Sequence, residues 1–183
     1  MAQQPVFQLR IQLDEVTPTV WRRLLVPGTV RLAKLHDIFQ AAVGWTNSHL
    51  HSFTIGDDLY GMHVEDYPEE ELDETQFTVL QALRGGVRHF RYEYDFGDSW
   101  EHEVVVEGVT FSPLSLRYGV CLDGQNACPP EDVGGAPGYE RFLAALDDPL
   151  DEEHDSYLVW VGHKFDPEAF DLAAANAALQ RVR

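Results

Sequence analysis

The sequence predicts an α+β fold: an antiparallel sheet built from β-hairpins, with two interspersed helices and a C-terminal set of about three helices. Apolar residues alternate with polar ones in neighbouring pairs of segments, and helical spacing replaces this alternation near the C-terminal end. With 183 residues, 44% of them hydrophobic, the chain can bury a packed core. We expect a single domain over residues 1–183, made of a hairpin-rich core at 5–111, a Gly/Pro-rich loop at 112–138 and C-terminal helices at 139–183.

The first predicted elements are two strands and a helix. A half-buried strand is indicated by apolar residues that alternate with polar ones, namely Phe7, Leu9, Ile11 and Leu13. A second strand follows over residues 20–26, after Thr17 and Pro18 interrupt the first. A helix is then predicted by apolar residues at helical spacing, with Gly44 at its stop: Leu32, Leu35, Ile38, Phe39, Ala42 and Val43.

A third strand is predicted over residues 49–55, and a hairpin turn leads from it into Leu59 and Tyr60. The acidic stretch 65–74 is expected to be a solvated loop, and residues 78–83 a short helix. The C-terminal helices are predicted at 139–146, 152–161 and 167–182, the last with Asp166 as its N-cap.

The strongest strand pair covers residues 88–95 and 100–109. A three-residue turn over 97–99 would pair Phe96 with Trp100 and Tyr94 with His102, and it would place the apolar residues of both strands, Phe96 included, on one face. The same register sets acidic residues opposite each other on the other face. Because like charges across a ladder are destabilising, we expect that face to be fully solvated or covered by a cation or an arginine.

The hairpin also carries the densest group of reactive side chains. Asp95, Asp98 and His102 are predicted to converge at its mouth, where they could ligate a divalent metal or serve acid–base chemistry, with Asp98 and His102 as candidate catalytic residues. The alternative is that Asp98 binds turn amides and that His102 is a packed histidine bonded to a tyrosine.

Two further segments carry candidate site residues. His49 and His51 are two apart, so a strand would place both on one face as additional metal candidates, although a structural role is the alternative. In the segment 128–135 two prolines stiffen the loop, so that Glu131 and Asp132 would be held in place. This loop either binds a ligand or braces the following helix. A ligand-binding set is predicted from the hairpin and this loop: Tyr94, Asp95, Trp100, Glu131 and Asp132.

Charge and composition exclude several classes of partner. Thirteen Lys and Arg residues against 31 Asp and Glu give a net charge of −18, which disfavours non-specific nucleic-acid binding. Residues 1–36 carry a net charge of +3, so a local basic face near the N-terminus is possible. Two cysteines are too few for a disulfide scaffold, and the sequence has no apolar run of membrane-spanning length. We expect a cytoplasmic protein with no membrane association.

No common catalytic or cofactor motif is present in the sequence. It lacks the phosphate-binding, dinucleotide-binding, zinc-protease and nucleophile-elbow patterns, and we find no nucleotide or flavin motif. Asp95-Phe96-Gly97 spells the kinase magnesium triplet, but the other kinase signatures are missing. A divalent metal is the one cofactor that the residues leave open.

The run from Tyr92 to His102 resembles the signature of the plasmid pRi ORF-three-like family, some of whose members are described as insertion-sequence passenger proteins. The resemblance covers roughly residues 5–180, and further segments share it: Val20–Arg23, His49–Phe53, Pro129–Asp132 with Gly134-Gly135, and Phe165–Asp171. Many members carry a cysteine where this chain has Val133, so a cysteine-based metal site is not implied here. The resemblance implies an α+β fold and no particular activity.

Two functions remain open from the sequence. The first is a binding or accessory protein, possibly associated with mobile genetic elements, that uses the aromatic hairpin and the Pro-rich loop to hold a protein or a small-molecule ligand. The second is a metal-assisted hydrolase centred on Asp95, Asp98 and His102. The absence of a catalytic triad favours the first.

Overall fold

The structure is a computed structural model and describes residues 4–62, 71–112, 116, 119–162 and 164–182. Its strands are β1 (Gln4–Leu13), β2 (Trp21–Pro27), β3 (His51–Ile55), β4 (Asp58–Gly61), β5 (Leu72–Asp73), β6 (His89–Tyr94), β7 (Trp100–Ser112) and β8 (Val120–Gln125). Its helices are α1 (Leu32–Val43), α2 (Val79–Ala82), α3 (Gly135–Asp147), α4 (His154–Trp160) and α5 (Leu172–Leu179).

The described strands form one eight-stranded sheet in the order β5-β4-β3-β6-β7-β1-β2-β8. The predicted α+β class is confirmed. The sheet is mixed rather than purely antiparallel, because the short strand β5 pairs parallel with β4. The predicted helices α1 and α2 are both present, and the three C-terminal helices follow the sheet.

The core lies where α1 and α5 cover the sheet. The apolar stripe of α1 is buried as its spacing predicts, and Gly44 ends the helix in the left-handed conformation with φ 107°. The alternating apolar residues of β1 are also buried: Phe7, Leu9, Ile11 and Leu13. None of the helices within the described residues is both long and apolar enough to span a membrane.

The hairpin of β6 and β7 differs from its predicted register by two residues. Tyr94 pairs with Trp100, so the turn has five residues, 95–99, instead of three. A shift of two residues keeps every side chain on its face, because the strand period is two. The inward residues therefore stay inward, namely Tyr92, Tyr94, Trp100 and His102. Phe96 was predicted to share this face, but it lies in the turn and is 50% exposed.

The acidic outer face of this hairpin is covered by an arginine, which was one of the two predicted solutions. Glu93 stands opposite Glu101 across the ladder. Arg91 lies on the same strand and contacts the Glu101 carboxylate at 3.5 Å and the Asp14 carboxylate. The cation offsets the repulsion that the register creates.

Three predictions of local structure are wrong. The segment 112–138 is not a loop throughout, because β8 pairs with the edge of β2 and α3 begins at Gly135. The last helix begins at Leu172 rather than Pro167, because the Asp171 carboxylate caps Ala174 N. The acidic stretch is not all solvated, since Leu72 and Asp73 form a strand and Glu74 is 3% exposed; residues 65–70 lie outside the described part of the chain.

Candidate functional site

The site begins where β6 ends. Asp95 follows the last residue of the strand and adopts the left-handed conformation, with φ 58°. One oxygen of its carboxylate accepts hydrogen bonds from Gly97 N at 3.0 Å and Asp98 N at 3.4 Å. The residue is 8% exposed, so these amides fix the orientation of a nearly buried carboxylate. The second oxygen is left to face the neighbouring chain segments.

Two residues from other segments meet Asp95. His49 Nε2 lies 3.5 Å from Asp95 Oδ2 and 3.0 Å from Asp132 Oδ1. The potential ligand atoms of these three residues lie within 4.8 Å of one another, and no other group of this kind occurs among the described residues. His49 Nε2 is buried and makes no hydrogen bond, and its contacts with the two carboxylates become ion pairs only if the ring is protonated. A ring nitrogen that faces two carboxylates without a hydrogen bond is suited to a metal ion.

The Pro-rich loop is fixed next to this group by Glu131. Its carboxylate accepts hydrogen bonds from the Tyr94 hydroxyl at 2.6 Å and from Thr46 N at 3.0 Å, and it also contacts the Thr46 hydroxyl. Upstream in the same loop, Pro129 O accepts from Trp45 Nε1 at 2.9 Å. Burial and the Glu131 carboxylate raise the pKa of Tyr94 above its usual range, so Tyr94 remains a hydrogen-bond donor. The loop is therefore ordered by the hairpin and by the segment after α1.

Backbone strain is concentrated at these segments. Asn47, Asp95 and Asp132 are non-glycine residues in the left-handed region, with φ values of 59°, 58° and 61°. Such conformations cost free energy and persist only where surrounding contacts hold them. The contacts of Glu131 and Asp95 supply that restraint here.

A cleft of about 630 Å³ opens beside His49, and two further histidines, His36 and His51, line it. His51 Nε2 lies 2.8 Å from Glu74 Oε2, and both side chains are almost fully buried. The His51 ring stacks on His36 with 3.4 Å between centroids. Burial, together with the neighbouring His51, lowers the pKa of His36 to about 4. The polar lining of the cleft comes from α1, β3 and the segments around them: His36, Asp37, Asn47, Ser48, His49, His51 and Glu74.

The structure does not bring His102 to the hairpin mouth. The side chain is 1% exposed, and its Nδ1 lies 3.0 Å from Trp100 O and 3.2 Å from Tyr92 O. Burial lowers its pKa to about 4. The predicted convergence of Asp95, Asp98 and His102 is therefore wrong, because every second residue of β7 points into the core. Trp100, predicted to bind a ligand, also lies in the core.

The predicted same-face pairing of His49 and His51 is wrong as well. Strand β3 begins at His51, so His49 precedes the strand and is not subject to its alternation. His49 faces Asp95 and Asp132, whereas His51 faces Glu74. Both histidines nevertheless border the same cleft.

Sequence reasoning missed His36, Thr46 and Glu74. His36 could have been noticed as a histidine within the apolar stripe of α1, because polar residues in such stripes are unusual. Glu74 lies at the end of an acidic run, and nothing in the sequence separates it from its solvated neighbours. Thr46 gives no signal before the loop that carries Glu131 is placed beside it.

The arrangement can bind a hard or borderline divalent cation. One imidazole nitrogen and two carboxylate oxygens are typical ligands for Zn²⁺, Mn²⁺ or Fe²⁺. The two cysteines take no part, since Cys121 is buried on β8 and burial raises the pKa of the Cys128 thiol. Three protein ligands leave coordination positions that a water molecule or a ligand could fill.

Comparison with known proteins gives consistent results. Residues 5–174 match the family described as plasmid pRiA4b ORF-3-like protein. The uncharacterized protein y4hQ of Sinorhizobium fredii (strain NBRC 101917 / NGR234) is 42% identical over 172 residues, which cover 93% of this chain and 86% of that protein. A crystal structure of a protein of unknown function, MM3350 of Methanosarcina mazei Go1, is similar with a TM-score of 0.84 and 31% identity. The match covers 93% of this chain and 97% of that one.

Proposed function

The chain belongs to the plasmid pRiA4b ORF-3-like protein family, and we propose that it is a divalent-metal-binding protein that holds a small polar ligand in the cleft beside the metal. The ion is bound by His49, Asp95 and Asp132. This is a binding role, as the absence of catalytic motifs favours, but the aromatic hairpin does not form the binding surface. The rings of its paired strands, such as Tyr92, Tyr94 and Trp100, lie in the core, and the cleft bordered by His49 and His51 takes the ligand instead.

One observation carries the proposal. His49 Nε2 is a buried nitrogen without a hydrogen bond, and two carboxylates from separate segments lie at 3.0 and 3.5 Å from it. Leaving a buried polar atom unsatisfied costs about 1–3 kcal/mol. Holding two carboxylates together adds repulsion that an ion removes. A bound cation resolves both costs at once.

The family name suggests the setting in which this binding takes place. An open reading frame of a plasmid gives the family its name, and an association with mobile genetic elements is compatible with an accessory protein that senses or stores a ligand. The net charge of −18 favours a ligand or protein partner over a nucleic acid.

A second function is metal-assisted hydrolysis at the same ion. Three protein ligands with open positions are typical of catalytic metal sites, in which the ion lowers the pKa of a bound water. The buried His51–Glu74 pair borders the same cleft and is placed to interact with a ligand there. The hydrolase site predicted from the sequence is thereby revised. Asp95 remains a member, and His49 and Asp132 take the roles first assigned to Asp98 and His102.

Isothermal titration calorimetry of chelator-stripped protein with Zn²⁺ and Mn²⁺ tests the metal site. We expect one ion per chain and a loss of at least about 100-fold in affinity for His49→Ala and Asp132→Asn. His89→Ala is the matched control, because that histidine pairs with a carboxylate on the exposed face. The proposal is wrong if the wild-type protein binds no ion, or if the control loses as much affinity as the site variants.

An assay of substrate turnover distinguishes the binding function from metal-assisted hydrolysis. The metal-loaded protein is assayed with p-nitrophenyl esters and with bis-p-nitrophenyl phosphate, and Asp132→Asn serves as the inactive comparison. Metal-dependent turnover that disappears in Asp132→Asn would establish the hydrolase. Metal binding without turnover of either substrate class would leave the binding function as the one supported.

A further inference from the structure

We infer that Asp98 is a positioning residue for the metal site: it fixes the loop that carries Asp132 without contacting the ion. This inference rests on the proposed metal site. Asp98 Oδ2 accepts a hydrogen bond from Gly134 N at 3.0 Å, two residues beyond Asp132. Asp98 is therefore joined to the loop through its backbone, whereas Asp95 from the same turn faces His49 directly.

The loop is held on both sides of Asp132. On the upstream side, Glu131 is bound by Tyr94 and Thr46. On the downstream side, the hydrogen bond from Gly134 N to the Asp98 carboxylate holds the loop. Because Asp132 has a left-handed backbone, its carboxylate keeps its direction only while both neighbours are fixed.

Close packing reinforces the downstream contact. A Cβ atom on Gly135 would lie 2.5 Å from Asp98 O, so the turn and the loop touch backbone to backbone. Gly134 and Gly135 have φ values of 95° and 68°, which glycine adopts without strain. The two glycines allow the loop to come close enough for the Asp98 carboxylate to reach Gly134 N.

Asp98 is not a member of the proposed ligand group. It lines a separate depression with Asp14, Arg91 and Glu101, and it is absent from the group of ligand atoms around His49. The carboxylate sits at the start of α3, where a negative charge is favoured by the helix dipole. Geometry thus separates the role of Asp98 from those of the three ligands.

Substitutions at Asp98 distinguish positioning from ligation. Asp98→Asn keeps an oxygen that can accept from Gly134 N, so we expect unchanged affinity for Zn²⁺ and an unchanged absorption spectrum of the Co²⁺-loaded protein. Asp98→Ala removes the acceptor, and we expect a loss of about tenfold or more in affinity. Asp98→Glu keeps the charge but displaces the oxygens, and it should also lose affinity.

Asp171→Ala is the matched control. Asp171 caps α5 through Ala174 N in the same way, but it lies outside the site. Its removal should lower stability while metal affinity stays the same. If Asp98→Ala does not fold, the two other variants still distinguish positioning from ligation. Positioning predicts that Asp98→Asn binds Zn²⁺ more tightly than Asp98→Glu does.

Three results would overturn the inference. A loss in Asp98→Asn as large as in Asp98→Ala, or a changed Co²⁺ spectrum in Asp98→Asn, would make Asp98 a ligand. Full affinity in Asp98→Ala and Asp98→Glu would mean that the loop needs no such contact. Absence of metal binding in the wild-type protein would refute the proposed function and this inference with it, whereas the first two results leave the metal site intact.

Discussion

Two polar clusters in this protein, one around Arg22 and one around His49, differ in how completely their hydrogen bonds are satisfied. Arg22 is 3% exposed, and burial lowers the pKa of its guanidinium. The group donates to four backbone carbonyl oxygens at 2.8–3.0 Å, those of Trp21, Ala42, Gln125 and Asn126. Phe170 covers it at 4.2 Å. The Arg22 cluster is thus complete by itself.

The His49 cluster has the opposite character. Its ring nitrogen is buried without a hydrogen bond, its two carboxylates repel each other, and the backbone is strained at both of them. We interpret the first cluster as one that stabilises the folded chain, and the proposed function assigns the second to the binding of an ion. Four measurements of folding free energy test this contrast.

Arg22→Met should produce the largest loss of stability. Removing the guanidinium takes a donor away from four carbonyl groups, two of them in buried contacts, and we expect the free energy of unfolding to fall by at least about 3 kcal/mol. Urea unfolding followed by circular dichroism measures the change. Arg22→Lys keeps the charge with fewer donors and should lose less. An Arg22→Met protein as stable as the wild type would contradict the view that this cluster is structural.

Metal addition should produce the second-largest change, and of the opposite sign. An ion that binds only the folded state stabilises it by about 2.7 kcal/mol when its free concentration is 100 times the Kd. Thermal unfolding with and without Zn²⁺ measures this gain. Arg22→Lys should show the same gain as the wild type, whereas Asp132→Asn should show none. Equal gains in all three proteins would place the ion elsewhere.

Acid should destabilise the folded protein by protonating His102, a third buried polar group. Burial lowers its folded-state pKa to about 4 from the ordinary value of 6.5, so between these values the unfolded chain binds a proton that the folded chain does not. Stability is therefore complete above pH 6.5 and is lost as the pH falls towards 4. We expect a loss of about 2 kcal/mol between pH 7 and pH 5 from this residue.

Urea titrations of His102→Gln at pH 7 and pH 5 should show a correspondingly smaller loss. His89→Gln is the control, because the His89 side chain is 63% exposed, and its pH dependence should match the wild type. If His102→Gln lost as much stability as the wild type over this range, the buried neutral histidine would not be the source of the acid sensitivity.

Asp132→Asn without metal should show the smallest effect. The side chain is 71% exposed and opposes another carboxylate, so its neutralisation should change the free energy of unfolding by less than about 0.5 kcal/mol or raise it slightly. The measurement is urea unfolding in the presence of chelator. A loss of several kcal/mol would mean that the His49 cluster is structural after all, like that of Arg22.

The fold was predictable where one face of an element is buried. It was not predictable where a long-range strand pairing or a single capping contact determines the structure. The alternation from Phe7 to Leu13 and the stripe of α1 report burial directly, so both elements were found. Strand β8 was missed because its residues show no alternation, and its pairing with the edge of β2 is a long-range contact. The last helix was predicted five residues too early because Asp166 and Asp171 are equally good caps in the sequence.

The residues of the candidate site could be predicted from the sequence, but which of them meet in space could not. His49, Asp95 and Asp132 were each predicted to belong to a site, on the grounds of chemistry and loop stiffness. Their meeting depends on the left-handed backbone at Asp95 and Asp132, which no periodicity encodes. His102 was misplaced although the predicted register already set it on the apolar face, because a shift of two residues leaves that face unchanged.

The members of the proposed metal site are widely separated along the chain, and this separation governs when the site can form. His49 precedes β3, Asp95 follows β6, and Asp132 comes only after β8 has closed the far edge of the sheet. During synthesis the last ligand leaves the ribosome when most of the sheet has already been made. An ion at the proposed site would therefore bind a fold whose sheet is already made. We expect it to slow unfolding while the rate of folding stays the same.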